Sequence, residues 1–440
     1  MGRQGDGATQ NPESGMSFIF RRQNLPIVIF AVGMAFVAFS IISAAWSYLS
    51  PYIADPTRDL SRDIDWGYLN RGLDRIHSFS DTARWWTGTW CGEVPFWRPL
   101  TSYVFWAMKL LWPKEYMLPR QVVLVVLHLC FMAMAGIFLW RLTRRPWLAL
   151  SAVWLFAGTR FGSQLSAVSN TLIDPKNITE PLVGIAMLAS LLLLVNGRWL
   201  GALVAAIISV GFKETGFTTW PLALLALAWI NYDRIVVDKW AYVRESVKRN
   251  WLPVSAWLGA LILLAVIHYL AVGIGYRMGT NHNWLWRAAM YHGGPVISDL
   301  ISPDPAASII AVLAAASVIG LKRMTIVVRF IGILLAFAVG VLVDIHIWRI
   351  PWDVSMAKLL GFSCSLELIV FYFFWLLIAW EAKHKWKIVT LGLVMCIVAA
   401  APSWMAAQTL PHTLYLSAFF MEIAVAAALC QSARAIVTSH

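Results

Sequence analysis

The chain has 440 residues, 59% of them hydrophobic and only 13% charged, with 35 Lys and Arg against 23 Asp and Glu for a formal charge of +12. Apolar runs recur from end to end, which excludes a water-soluble globule. The positive charge does not point to nucleic acid, because the basic residues fall in short clusters between apolar runs rather than on one soluble face.

Residues 1–24 are expected to be a disordered cytoplasmic tail, rich at its start in Gly, Gln and Ser. The run Pro26 to Leu49 is long enough to cross about 30 Å of hydrocarbon and longer than the core of a secretory signal, so it reads as an uncleaved first helix. Arg21 and Arg22 hold its start inside, and Arg141, Arg144 and Arg145 place the end of the run from about Leu118 to Trp140 inside as well. A crossing by Leu100 to Trp112 would reverse that Arg cluster, so this stretch is expected to lie on or dip into the outer face. Residues 50 to 116 then form one large external loop. Further helices are expected near 146–159, 181–195, 199–213, 217–231, 251–273, 307–321, 325–347, 359–380, 388–407 and 413–431, with an outer segment before residue 180. The segment 233–250 reads as a basic cytoplasmic loop, and Lys322, Arg323, Lys383, Lys385 and Lys387 fall inside too. The expected fold is an all-α polytopic transmembrane bundle of about 12 helices, with interfacial helices in the external first loop. It is divided into an N-terminal module 25–232 and a C-terminal module 251–440, and both chain ends lie in the cytoplasm of a bacterial-type inner membrane.

Cysteine offers neither a disulfide framework nor metal-ligand spacing, since Cys130, Cys364, Cys396 and Cys430 lie in apolar runs and Cys91 stands alone in the external loop. The sequon Asn177-Ile178-Thr179 falls in an external segment.

The external loop concentrates the chemistry. It holds Asp55, Asp59, Asp63, Asp65, Asp74, Asp81, Glu93 and Glu115 among the 23 acids of the chain, and a matching set of Arg and Lys that includes Arg58, Arg62, Arg71, Arg75, Arg84 and Arg98. Most of these suit ion pairs at helical spacing on a solvated face. Asp63 and Asp65 differ, because Trp66, Tyr68 and Leu69 follow at once and anchor at the interface. A carboxylate held against a membrane wall loses solvation, its pKa tends to rise, and it becomes a useful base. Seven tryptophans of the loop, Trp66, Trp85, Trp86, Trp90, Trp97, Trp106 and Trp112, suit the membrane interface and also sugar stacking.

In chain order, Asp63-x-Asp65 with Tyr68-Leu69, Trp97-Arg98-Pro99-Leu100, His128 in an apolar helix, and Phe212-Lys213-Glu214-Thr215 leading to Trp220-Pro221-Leu222 resemble the pattern of GT-C superfamily glycosyltransferases. These are polytopic enzymes using polyprenyl-phosphate-linked sugars, with protein O-mannosyltransferase-like and aminoarabinose-transferase-like branches. The resemblance covers about residues 25–232 and departs at Gly158-Thr159-Arg160, where relatives often show His-Pro. It implies a polyprenyl-phosphate-linked sugar as donor, an acceptor hydroxyl, and membrane lipids around the donor tail. Asp65 would be the base, with Asp63 as second acid or metal ligand, while Arg98 and Lys213 would take the donor phosphate. Glu214, His128 and Arg277 are candidate supporting residues. Two acids fall far short of a hard-metal shell, so a divalent ion is left open. Ordinary alternatives stand beside these roles: snorkelling for Arg98, an ion pair with Glu214 or another nearby acid for Lys213, and packing for His128. A catalytically silent subunit of a larger membrane protein complex is the alternative function. A cysteine tag beside Asp65 should react with an impermeant thiol reagent from the outer side only; labelling from the cytoplasmic side overturns this topology.

Overall fold

The computed structural model describes residues 25–54, 71–90, 96–112, 118–158, 171–172, 175–273, 387–405 and most of 415–427. Helices dominate, and there is no β-strand among the described residues. In chain order they are α1 (Leu25–Ala54), α2 (Pro99–Leu111), α3 (Leu118–Thr143), α4 (Pro146–Gly158), α5 (Thr179–Val195), α6 (Trp199–Phe212), α7 (Thr219–Ile230), α8 (Tyr232–Arg249), α9 (Trp251–Val272) and α10 (Lys387–Met405). A one-turn helix, Arg84–Thr87, precedes α2, and a helical stretch Tyr415–Ala424 follows α10.

Among the described residues, three helices are long and apolar enough to cross a membrane: Leu118–Thr143, Lys176–Val195 and Trp251–Val272. A fourth crossing results if α7 and the start of α8, which meet at a 77° bend, count as one broken span. The outer faces agree with lipid as solvent. Val126 on α3, Leu224 on α7, and Ile262, Leu263 and Leu270 on α9 all point out of the bundle. An apolar side chain on the outside of a helix that is apolar all round has no stable place in water.

The core is built on α3, α5 and α6. Small residues let these helices approach: a Cβ added at Gly184 of α5 would lie 2.6 Å from the ring of Phe131 on α3, and one at Gly136 would lie 2.9 Å from Phe30 on α1. Ser190 of α5 donates to the carbonyl of Ala202 on α6 at 2.7 Å, satisfying its hydroxyl inside an apolar contact. Phe131, Phe156, Tyr415 and Phe419 form an aromatic nucleus joining α3, α4 and the stretch Tyr415–Ala424.

The helix ends sort into two groups. At one end lie the turn carrying Arg144 between α3 and α4, the turn carrying Arg198 between α5 and α6, the end of α7 and the start of α10. Two contacts fasten this end: the Trp229 indole donates to the carbonyl of Leu142 at 3.2 Å, and Lys387 pairs with Asp233 at 3.4 Å. At the opposite end α2, α3 and α5 begin and α6 terminates. There Gln121 at the head of α3 donates to the carbonyl of Leu172, and Lys109 of α2 pairs with Asp74 at 2.8 Å. Before α2, the amides of His77 and Ser78 donate to Asp81 and hold its carboxyl below the usual carboxylate range.

The expected helices near 26–49, 118–140, 146–159, 181–195, 199–213, 217–231, 251–273 and 388–407 coincide with helices, and 100–112 forms α2. The spans expected at 307–321, 325–347 and 359–380 lie outside the described residues, so twelve crossings stay an expectation. Residues 233–250, expected as a basic cytoplasmic loop, carry the helix α8, because apolar residues recur there at helical spacing. The sequon is not an open acceptor: Asn177 is 5% exposed in the 3-10 turn Pro175–Ile178, and Thr179, also buried, opens α5.

Replacing Gly184 by Ala should lower the thermal unfolding midpoint in detergent by the equivalent of about 1–3 kcal/mol of overpacking, since Phe131 is fully buried and has nowhere to retreat. An unchanged midpoint would show that α3 and α5 are not in tight contact.

Candidate functional site

Four charges meet where α2, α5, α6 and the 3-10 turn Glu214–Thr218 converge. Helix α2 opens with Pro99 at its first position, where a missing N–H costs nothing, and Arg98 is its N-cap. The residues before Pro99 turn back onto the end of α6. The Trp97 amide donates to Glu214 Oε1 at 3.0 Å, and Arg98 Nε donates to Glu214 Oε2 at 3.0 Å. One carboxylate thus grips both the backbone and the guanidinium at the head of α2, where negative charge also suits the helix dipole. Thr101, one turn along, donates to the carbonyl of Phe212 at 2.6 Å and satisfies an acceptor that the end of α6 leaves open.

The guanidinium of Arg98 lies 4.7 Å from the centre of the Trp90 ring and 4.2 Å from that of Phe96. Cation–π attraction therefore holds a charge that is only 8% exposed. Arg98 is thus a buried, paired residue and not a snorkelling one. Among the described residues its side-chain hydrogen bond uses Nε alone, so the two terminal nitrogens remain as donors.

Lys213, at the C-cap of α6, is 4% exposed and pairs with Glu180 in the first turn of α5. A cation at the C-terminus of one helix and an acid at the N-terminus of its antiparallel neighbour each complement a macrodipole, so the pair suits its site twice over. The two pairs sense one another electrostatically: Glu180 interacts with Arg98 and Glu214 as well as with Lys213. Two cations and two carboxylates leave the cluster formally neutral.

Gly216 fixes the turn that carries Lys213 and Glu214. A Cβ there would fall 2.4 Å from the backbone of Ser209 and Val210, so only glycine lets the turn lie on the last turn of α6. Its amide donates to the carbonyl of Lys213 at 2.9 Å, its carbonyl accepts from Thr219 Oγ1 at 2.7 Å, and Ser209 Oγ stands 3.0 Å from Thr219 Oγ1.

The structure brings Arg98, Lys213 and Glu214 together, while the side-chain hydrogen bond of His128 goes to the aromatic nucleus. His128 Nδ1 shares a hydrogen bond with the Tyr415 hydroxyl in the aromatic nucleus, and its Nε2 is buried without a partner among the described residues. His268 of α9 sets its ring edge-on to Trp97 and Phe217, with centroids 6.2 and 5.9 Å away. Asp63, Asp65 and Arg277 lie outside the described residues. Among the described residues no three His, Cys, Asp or Glu side chains gather as a metal site. Sequence reasoning missed Glu180, whose signal was an acid directly before Pro181 and an apolar run, the ordinary mark of a helix start. It also missed Thr101 and the Ser209–Gly216–Thr219 network.

No family model matches the chain, and neither does any curated protein or solved structure.

Glu180→Gln should strand the buried Lys213 ammonium and cost about 3–5 kcal/mol, read as a lower unfolding midpoint in detergent. The double variant Glu180→Gln with Lys213→Met should recover most of that loss. A single variant as stable as the parent would mean that water or another group already serves Lys213.

Proposed function

We propose that the chain is a membrane glycosyltransferase that moves a sugar from a polyprenyl-phosphate donor to an acceptor hydroxyl at the non-cytoplasmic face. The observation that carries this reading is the pair of buried cations, Arg98 and Lys213, gathered at one end of a bundle whose opposite end carries the clustered Arg and Lys residues. By the positive-inside rule the basic end faces the cytoplasm, which turns the four-charge cluster outward. The topology proposed with it is multi-pass, in a bacterial-type inner membrane with both termini inside.

The chemistry follows from what these groups can do. The donor phosphate is an anion at the membrane surface. Arg98 offers it the two guanidinium nitrogens that Glu214 does not use, and Lys213 offers a point charge. Glu214 and Glu180 hold the two cations in place before phosphate binds. In the transfer the acceptor oxygen bonds to the anomeric carbon and the carbon–oxygen bond to phosphate breaks. The electron pair leaves on the polyprenyl phosphate, where the cations stabilise it, and the hydroxyl proton passes to a carboxylate. Asp65 is the proposed base, with Asp63 beside it as second acid or as ligand of a divalent ion. The order of motifs from Asp63 to Leu222 and their likeness to the GT-C pattern support the same reading.

The ion pairs themselves favour one alternative. Each cation already has a carboxylate partner within the chain, which is also what a purely structural cluster looks like, as in a silent GT-C-like subunit of a larger membrane complex.

In membranes supplied with a polyprenyl-phosphate sugar, the wild type should transfer or hydrolyse the sugar, and Asp65→Asn should lower that rate at least about a hundredfold. Equal inertness of both, with the protein purifying in fixed ratio with other subunits, establishes the structural reading instead. Arg98→Ala and Lys213→Ala should each weaken donor binding about tenfold or more in folded protein; unchanged affinity removes them from the site.

A further inference from the structure

Helix α8 turns 77° away from α7 at Asn231 and runs across the basic end of the bundle. The Tyr242 hydroxyl donates to Asn231 Oδ1, at the head of the same helix, at 2.7 Å, and the Lys387 ammonium of α10 sits 4.0 Å above the Tyr232 ring. Further along, Val236, Trp240 and Val247 are 48%, 82% and 46% exposed. At about 100° per residue these three fall within roughly 40° of arc, so they make one stripe along the helix. Arg244 and Lys248 are exposed beside that stripe, and the helix carries five Lys and Arg against three acids.

We infer that α8 is an in-plane membrane anchor whose Val236–Trp240–Val247 stripe enters the headgroup boundary of the cytoplasmic leaflet and whose flanking cations bind anionic phospholipid. Three observations name the occupant. The stripe continues the outward apolar surface of the neighbouring helices, through exposed Ile230 at the end of α7 and exposed Trp251 and Leu252 at the start of α9. The 77° bend sets α8 across the direction of the apolar helix α7, the attitude of an interfacial helix. Arg and Lys surround the same end, complementing an anionic lipid surface, to which each nearby cation adds attraction. An exposed tryptophan beside cationic residues is the usual composition at that depth. The inference is independent of the proposed glycosyl transfer and requires only that the bundle spans a bilayer.

Hydrogen exchange of residues 232–249 tests it in the full-length protein, placed in nanodiscs of phosphatidylcholine alone or mixed with phosphatidylglycerol. Exchange should be slow in both and slower with phosphatidylglycerol. Val236→Ser with Trp240→Ser should speed it roughly tenfold or more in both lipids while leaving α3 protected. Arg244→Gln with Lys248→Gln should abolish only the difference between the lipids. Protection that ignores anionic lipid in the parent, or that survives the Val236→Ser and Trp240→Ser pair, overturns the proposal; a protein partner seated elsewhere on α8 would give the second result.

Discussion

A charge taken out of water must be compensated where it lands, and in this chain that demand fixes the geometry of one whole end of the bundle. Lys213 reaches across to Glu180, and Glu214 reaches across to Arg98 and to the amide of Trp97. The four groups belong to α2, α5, α6 and the turn after α6. Sliding any one of these elements by a single residue would leave at least one buried ion unpaired, at a cost of several kcal/mol. The pairs therefore act less as an attraction summed into stability than as a register, rejecting the neighbouring alignments that an apolar helix surface alone would tolerate.

Below that register the bundle is held by shape. Gly184 against Phe131 and Gly136 against Phe30 allow close helix contact, and buried hydroxyls such as those of Ser190 and Ser209 are spent on nearby carbonyls. Lipid tails are as apolar as leucine, so tight packing and satisfied polar groups bring such helices together where the hydrophobic effect between them is weak. The outward Leu and Ile residues of α9 stay at the surface for the same reason.

Much of the helical layout was legible because apolar run lengths and flanking charges are strong, local signals. Pro99 marked the head of α2, and the interruption of an apolar run by Lys213-Glu214 marked the end of α6. The pairing was not legible. Lys213 and Glu214 are adjacent in sequence, yet the extended backbone at Lys213 sends successive side chains to opposite sides, so each finds a partner on a different helix. Glu180 falls just outside the helix expected at 181–195, which in fact opens two residues earlier, at Thr179. In α8 the density of charge masked a helical period that its valines and tryptophan carry plainly. Asp63 and Asp65 remain readable from sequence alone.

The grip on Glu214 has an unequal inheritance. One of its two clasps is a main-chain amide, at Trp97, and every amino acid except proline brings that group. Drift at position 97 can thus reshape the aromatic wall beside Trp86 and His268 while sparing the anchor beneath it. The other clasp depends on a guanidinium that no other side chain reproduces. Descendants of this chain are accordingly free to vary what lines the mouth of the cluster far more than what holds it shut.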